Sequence, residues 1–223
     1  KGKVIYLERT ISGMMGKGTV KHNTRAFTAK NVDRERSREN VEFCHSDIKE
    51  VYQQLFREAL ERYNARQKRS DRKIENYYEK IRQGKQEKLF HEVIFQIGNK
   101  DDMNAKDWQG QVAKDILVEF MADFQGRNPN LHVFSAHLHM DEETPHLHID
   151  FVPFIRNSKR GLDTSIVKRR ISKTGIPRRH KRGYGMGPMD RSGETGVIKS
   201  YGKVWHTVEE TGDAQETFVR VGL

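Results

Sequence analysis

The chain has 223 residues, with 41 Lys or Arg against 31 Asp or Glu, so its formal net charge at pH 7 is +10. This length suits one domain, and the positive balance favours a polyanionic partner. No apolar run reaches the length of a membrane span, which argues against membrane contact. Cys44 is the only cysteine, which excludes an intrachain disulfide and fits a reducing cytoplasm.

One short strand is predicted in the N-terminal part of the chain. Apolar and polar residues alternate over residues 3–10, a pattern typical of a strand. A loop is predicted after this strand from the glycines at Gly13, Gly16 and Gly18. Residues 31–42 are polar and charged, and we expect irregular structure or weak helix there.

A long helical region is predicted over residues 46–84. Ser46 or Asp47 can cap its start, and Glu50 lies within reach of a capping box. The apolar residues that recur at spacings of three and four are Ile48, Val51, Tyr52, Leu55, Phe56, Ala59 and Tyr63. The strongly charged stretch 66–82 is expected to form either a second helix or a protruding extension.

A strand and a second amphipathic helix come next. Residues 90–97 are apolar and sheet-like, and Asp107 can cap a helix from Trp108 to about Gln125. The apolar stripe of this helix has the every-fourth spacing that covers a sheet.

A histidine-rich hairpin follows this helix. Residues 131–140 are predicted as a strand and residues 146–152 as the return strand, with turn-forming residues between them. Alternation places Phe134, Ala136, Leu138 and Met140 on one side, and the polar set Ser135, His137, His139, His146, His148 and Asp150 on the other. Packing gives no reason to line a face with imidazoles, so this face is a candidate functional site.

The element order predicts an α+β domain. We expect a central, largely antiparallel sheet that carries the metal site on one face and helices on the other, with a long charged helical insertion.

The imidazoles and carboxylates of the hairpin favour a divalent cation site. Structural zinc usually takes four closed ligands that include thiolates, so one cysteine favours an open site of three histidines plus water. Glu142 can complete the metal shell, orient a histidine or move a proton. We expect Asp141 to shape the turn and Asp150 to accept a hydrogen bond behind the metal ligands.

Two basic regions suggest contact with nucleic acid. Near the N-terminus, Lys21, His22 and Arg25 form a compact cluster, in which Arg25 can fork onto a phosphate and His22 can attack phosphorus. Residues 159–203 are predicted as a flexible DNA-contacting segment whose cationic candidates are Lys168, Arg169, Arg170, Arg178, Arg179, Lys181 and Arg182.

These motifs resemble those of a known family. The pattern His139-x-Asp141-Glu142-x-x-Pro145-His146-x-His148, followed by Phe151-Val152-Pro153, resembles the metal motif of plasmid mobilisation relaxases of the Mob/Pre (MobV) group, within the histidine-hydrophobic-histidine endonuclease superfamily. The pattern His22-Asn23-x-Arg25 is similar to the N-terminal motif of the same group, and both motifs occur in the expected order.

The resemblance implies a site- and strand-specific DNA relaxase. Such an enzyme nicks single-stranded origin-of-transfer DNA by metal-assisted transesterification, stays covalently linked to the 5′ phosphate, and rejoins the strand during plasmid or transposon mobilisation. It implies that His22 is the nucleophile and forms a phosphoramidate, that Arg25 and Glu142 support catalysis, and that the metal ligands are His139, His146 and His148.

The resemblance also implies the surroundings of the protein. The cofactor would be Mn²⁺ or Mg²⁺, and the partners would be origin DNA, as a single strand or hairpin, and other mobilisation or conjugation proteins. The chain would be a single relaxase domain over residues 1–223, an N-terminal fragment of a longer protein in the bacterial cytoplasm.

Two other functions stay open from the sequence. A rolling-circle replication initiator or single-strand transposase would use a tyrosine nucleophile, for which Tyr184 and Tyr201 are candidates. Tyr6 is a weaker candidate because it lies in a predicted strand. A non-catalytic single-strand DNA binder with a structural metal is the third possibility.

Overall fold

The structure is a computed structural model that describes residues 4–17, 19–167, 203–211 and 214–221. Its strands are β1 (Val4–Met15), β2 (Val41–His45), β3 (His91–Ile97), β4 (Leu131–His139), β5 (His146–Ile155), β6 (Ser165–Ile166), β7 (Lys203–Thr211) and β8 (Ala214–Val221). Its α-helices are α1 (Val20–Asn23), α2 (Ile48–Ala65), α3 (Tyr77–Gln83), α4 (Trp108–Ala122) and α5 (Phe124–Arg127).

The strands form one antiparallel sheet in the order β2-β4-β5-β3-β1-β7-β8, and β6 pairs with the end of β5. The predicted α+β class with a largely antiparallel sheet is therefore confirmed. β5 lies between β4 and β3, so the histidine hairpin occupies the interior of the sheet. A histidine there is held by hydrogen-bonded neighbours on both sides, which limits its movement.

The N-terminal strand is longer than predicted, and an edge strand was missed. β1 continues to Met15, and Gly13 pairs with Phe95 of β3 rather than marking a loop. β2 lies partly within the segment expected to be irregular, and it pairs with β4. A five-residue strand with several polar side chains carries too weak an alternation to be recognised, and its ladder to β4 is what stabilises it.

One face of the sheet is covered by α4, as the apolar stripe predicted. Ile116, Leu117 and Phe120 of this helix join one buried cluster with Phe95, Leu138, Leu147, Ile149 and Phe151 from the strands. The helix begins at Trp108 as predicted and ends at Ala122, just before α5.

The histidine face also carries helices, which was not predicted. α2 and α3 form a second buried cluster with Val152 and Phe154 of β5, and these two residues share the strand face of His146 and His148. The expectation that helices and histidines lie on opposite faces therefore holds for α4 only. The second helical layer covers one end of the face, and the histidines occupy the other.

The predicted helical region is divided in two. α2 begins after Asp47, whose carboxylate accepts from the backbone N–H groups of Lys49 and Glu50, and it ends at Ala65. The side chain of Asn64 then both donates to and accepts from the backbone of Ile74, which closes the intervening loop. The second-helix alternative holds for the last part of the charged stretch, where α3 buries Tyr77 and Ile81, whereas residues 68–73 before it are exposed and contain only a short 3-10 turn.

A bulge in β4 changes one predicted side-chain direction. Val133 pairs with Phe151 and Ser135 pairs with Asp150, so Phe134 is an extra residue in the strand. Phe134 consequently joins the α2–α3 cluster and contacts Phe90, with ring centroids 5.3 Å apart, instead of facing α4. After the bulge the side chains alternate as predicted, so His137 and His139 lie on the expected face of the sheet.

Candidate active site

The hairpin brings the three predicted metal ligands together. His139 lies opposite His146 in the β4–β5 register. The ring centroids of His139 and His148 are 4.7 Å apart, those of His146 and His148 are 4.9 Å apart, and those of His139 and His146 are 5.2 Å apart.

Each of these rings is oriented by a hydrogen bond through one nitrogen. His139 Nε2 donates to the Asn23 carbonyl at 2.8 Å, His146 Nδ1 to the Thr144 carbonyl at 2.8 Å, and His148 Nδ1 to Glu92 Oε1 at 2.7 Å. A carbonyl or carboxylate only accepts, so the other nitrogen of each neutral ring keeps its lone pair.

Two of the free ring nitrogens lack a hydrogen-bond partner among the residues that the structure describes. Within the described part of the chain, His139 Nδ1 and His148 Nε2 are buried and make no hydrogen bond. Burial lowers the pKa of His139 to about 2, which keeps this ring neutral near pH 7. Neutral imidazole is the form that binds metal, and a cation would satisfy both orphaned atoms, so these residues fit the expected cofactor.

The possible ligand atoms form two overlapping groups that share His139. One group is His22, His139 and His148, and the other is His139, Glu142 and His146. Within each group the ligand atoms lie within 4.8 Å of one another. Imidazole combined with a carboxylate suits a divalent cation such as Mn²⁺.

His22 lies beside these rings although it is more than a hundred residues away in sequence. Its ring centroid is 5.6 Å from that of His139 and 5.7 Å from that of His148. Its Nε2 is 3.6 Å from Glu142 Oε1 and 3.3 Å from Arg25 Nη1. Burial, followed by the Arg25 guanidinium, lowers the pKa of His22, so the ring is neutral near pH 7.

Arg25 is held by acidic residues of the hairpin turn. Its Nε donates to Asp141 Oδ2 at 2.9 Å, its Nη2 donates to Asp141 Oδ1, and the same nitrogen is 3.0 Å from Glu142 Oε1. Only Nη1 is directed toward His22. The phosphate contact predicted for Arg25 would therefore use Nη1, because Nε and Nη2 are already bound to Asp141.

Asp141 has a larger structural role than turn formation. It is fully buried and also accepts from Ser37 Oγ at 2.8 Å and Asn40 Nδ2 at 2.7 Å. Although burial opposes ionisation, these hydrogen bonds and the Arg25 guanidinium hold the pKa of Asp141 well below its usual range. Arg36 supports the same turn by donating to the carbonyls of Met140 and Glu142.

Two residues behind the histidines were not identified as site residues from the sequence. The Asn23 amide donates to Glu92 Oε1 at 2.8 Å and to Asp150 Oδ2 at 2.9 Å, and all three side chains are buried. Glu92 lies in β3, a strand that is otherwise mostly apolar. A carboxylate in such a strand was the one feature of the sequence that could have identified Glu92 as a site residue. Burial raises the pKa of Asp150 to about 7 despite the hydrogen bond from Asn23, and its predicted acceptor role is directed to Asn23 rather than to a histidine.

Several predicted site residues lie outside the described residues. These are the tyrosine candidates Tyr184 and Tyr201 and the cationic candidates Lys168, Arg169, Arg170, Arg178, Arg179, Lys181 and Arg182. Lys21 is described and is exposed next to His22. No helix of the described residues is long and apolar enough to cross a membrane.

Comparison with known proteins identifies the family. No curated protein matches the chain. Three solved structures of the MobM relaxase domain (MOBV; Mob_Pre), bound to plasmid pMV158 oriT DNA and to Mn, are similar at 23%, 24% and 25% identity with TM-scores of 0.38, 0.40 and 0.39. Each match covers 66% of this chain and 72% or 73% of the MobM chain with which it is compared. The model of the Mob_Pre family, described as plasmid recombination enzyme, matches residues 23–171, so the chain belongs to the Mob_Pre family of plasmid recombination enzymes.

Proposed function

We propose that this protein is a relaxase that nicks one strand of origin-of-transfer DNA and later rejoins it, with His22 as the nucleophile. The observation that carries the proposal is the grouping of His22 with His139 and His148, whose ligand atoms lie within 4.8 Å of one another. A phosphodiester bound to a cation at His139 and His148 would therefore lie within reach of His22. Membership of a family of plasmid recombination enzymes supports DNA as the substrate. Plasmid DNA as substrate would place the protein in the bacterial cytoplasm.

The cation would be held by His139, His146 and His148, with Glu142 as a further oxygen ligand. Mn²⁺ and Mg²⁺ are the candidates. Such a cation supplies Lewis-acid polarisation of the phosphodiester and stabilises the charge that develops on its oxygens. Glu92 and the Asn23 and Thr144 carbonyls keep the three rings in the tautomers that direct a lone pair into the site.

The nucleophilic step belongs to His22. Its Nε2 forms a bond to phosphorus while the bond from phosphorus to the 3′ oxygen breaks. The departing oxygen takes a proton from water, and the imidazolium loses its Nδ1 proton to water, which leaves a phosphoramidate on the 5′ phosphate. Attack by a free 3′ hydroxyl on the same phosphorus reverses the step and rejoins the strand.

Charged residues around His22 would bind and orient the strand. Arg25 Nη1 lies 3.3 Å from His22 Nε2, where it can contact a non-bridging phosphate oxygen. Glu142 Oε1, 3.6 Å from the same His22 nitrogen, would stabilise the positive charge that the His22 ring gains when Nε2 bonds to phosphorus. Lys21 and the basic segment 159–203 would contact phosphates along the rest of the strand.

The experiment that tests this proposal identifies the covalent adduct. The protein is incubated with Mn²⁺ and a 5′-labelled single strand carrying the transfer origin, and the labelled peptide is mapped by mass spectrometry. We expect an acid-labile adduct on His22. The His22→Ala variant should form no adduct but bind the strand within about threefold of wild type, because binding is spread over many phosphate contacts. His45→Ala is the control, since His45 is an exposed histidine whose ring centroid lies 5.9 Å from that of His137, outside the assigned metal ligands.

Other results would contradict the proposal in different ways. An acid-stable adduct on Tyr184 or Tyr201 would replace His22 as nucleophile and favour a replication initiator or transposase. Strand binding without cleavage under any divalent cation would favour the non-catalytic binder. Full cleavage by His146→Ala would show that the assigned metal ligands are wrong.

A further inference from the structure

Phe27 is a large aromatic residue that the fold leaves in solvent. Its side chain is 63% exposed, and it belongs to neither buried cluster. Most of the other phenylalanines with described side chains are packed in those clusters, so this position is unusual in the molecule. An exposed ring on the segment that carries His22 is a candidate contact for a flat apolar ligand.

The segment around Phe27 is fixed to the candidate active site at several points. The Phe27 N–H donates to the Lys21 carbonyl at 3.0 Å, which places the Phe27 backbone beside the peptide that precedes His22. On one side of Phe27, Arg25 binds Asp141; on the other, Asn31 Nδ2 donates to Glu142 Oε2 at 2.7 Å and the Asp33 N–H to the Asp141 carbonyl at 2.8 Å. The ring is therefore displayed from an anchored segment, so its ordering costs little on binding.

We propose that Phe27 stacks on a base of the single strand, next to the nucleotide whose phosphate lies at His22; this rests on the proposed function. Every base has an aromatic face, so stacking on a fixed ring positions a strand without reading its sequence. Lys21 and Lys30 are exposed on the same segment and provide positive charge for the phosphates that flank the stacked base. The combination of an exposed ring with nearby cations is typical of single-strand binding surfaces.

The test compares two strands that differ only in their bases. Fluorescence anisotropy measures the affinity for a labelled oligo-dT strand of about 30 nucleotides and for an abasic strand of the same length, which keeps the phosphates but cannot stack. We expect Phe27→Ala to weaken oligo-dT binding by about 5- to 150-fold and to leave abasic binding unchanged. Phe27→Trp should retain oligo-dT binding, because the indole also stacks.

Trp108→Ala is the matched control. Trp108 is 42% exposed at the start of α4, on the helix that covers the opposite face of the sheet, so its loss should not change either affinity. Thermal unfolding of each variant verifies that the fold is intact, and we expect Phe27→Ala to unfold within a degree or two of wild type because the ring is mostly in solvent.

The outcomes separate this inference from the proposed function. If wild type cleaves origin DNA and Phe27→Ala binds oligo-dT as tightly as wild type, the stacking role is wrong and the relaxase proposal stands. If Phe27→Ala weakens both strands equally, or lowers the unfolding temperature markedly, the ring serves packing rather than stacking. If wild type binds neither strand, the stacking inference fails, whereas the relaxase proposal is decided separately by the adduct experiment on origin DNA.

Discussion

The guanidinium of Arg25 donates two hydrogen bonds to the carboxylate of Asp141, 116 residues away in sequence, with Nε on one oxygen and Nη2 on the other. This contact joins the His22 segment to the turn of the metal hairpin. Arg25 also has a left-handed backbone, with φ of 56°, which a residue other than glycine rarely adopts. The hydrogen bonds of Arg25 Nε to Asp141 and of Arg25 Nη1 to the His22 carbonyl hold this segment beside the hairpin turn.

We first predict that Asp141→Ala destabilises the fold strongly. The substitution removes the shared acceptor of Arg25, Ser37 and Asn40 and leaves the largely buried Arg25 guanidinium with Glu142 as its remaining carboxylate partner. We expect a loss of about 3–5 kcal/mol in the free energy of unfolding, measured by urea denaturation.

A second two-point ion pair between an arginine and an aspartate provides the control for this prediction. Arg62 binds Asp163 through the same two-point geometry, but the side chains are 51% and 32% exposed. Asp163→Ala should therefore cost less than about 1 kcal/mol. Equal losses for the two variants would mean that burial does not set the strength of the Arg25–Asp141 pair.

A second prediction concerns the support of His148 by Glu92. Glu92→Gln keeps an oxygen that can accept from His148 Nδ1 but removes the negative charge that strengthens the imidazole as a ligand. We expect Mn²⁺ affinity, measured by calorimetry without DNA, to fall by about 10- to 100-fold. Glu119→Gln, which changes an exposed carboxylate on α4, is the control and should leave the affinity unchanged. If Glu92→Gln bound Mn²⁺ as tightly as wild type, the negative charge of Glu92 would have no role in metal binding.

Gly16 allows a third prediction, because it faces the same carboxylate. A Cβ at this position would lie 1.9 Å from Glu92 Oε2 and 2.3 Å from Glu92 Cδ, and Glu92 is held by His148 and Asn23. Gly16→Ala should therefore displace Glu92, lower Mn²⁺ affinity and cost about 1–3 kcal/mol of unfolding free energy. Gly126→Ala adds a methyl group near only the Asp123 carboxylate and should have little effect. Unchanged metal binding in Gly16→Ala would show that Glu92 can move without consequence.

A fourth prediction follows from His91, a histidine outside the metal group. Its ring stacks on Phe151, and burial, followed by the Lys88 charge, lowers its pKa to about 4. The unfolded chain binds a proton at this residue below about pH 6.5, whereas the folded chain does not until about pH 4. Stability is therefore lost as the pH falls through this window.

The pH effect of His91 is measured as a difference between two proteins. Between about pH 7 and about pH 4.5, wild type should lose roughly 1–3 kcal/mol more unfolding free energy than His91→Gln. The other histidines titrate in both proteins, so the comparison isolates His91. Parallel pH dependences would contradict the low pKa of this residue.

The sequence predicted the parts of the fold that follow from local patterns. The β4–β5 hairpin, α4 and the capped start of α2 all have strong periodicity or capping residues, and all occur close to the predicted positions. The β4 bulge at Phe134 was missed because alternation assumes an unbroken ladder. β2 was missed because its stability comes from pairing with β4 rather than from its own composition.

The family resemblance, the histidine-lined hairpin and the net positive charge of the chain could all be predicted, because each depends on residue types or on their local spacing. The contacts of His22 with His139, of Arg25 with Asp141, and of Asn23 and Glu92 with the histidines could be seen only in the folded chain. Those contacts join segments far apart in the chain, and spacing along a sequence carries no information on which distant side chains a folded sheet brings within hydrogen-bonding distance.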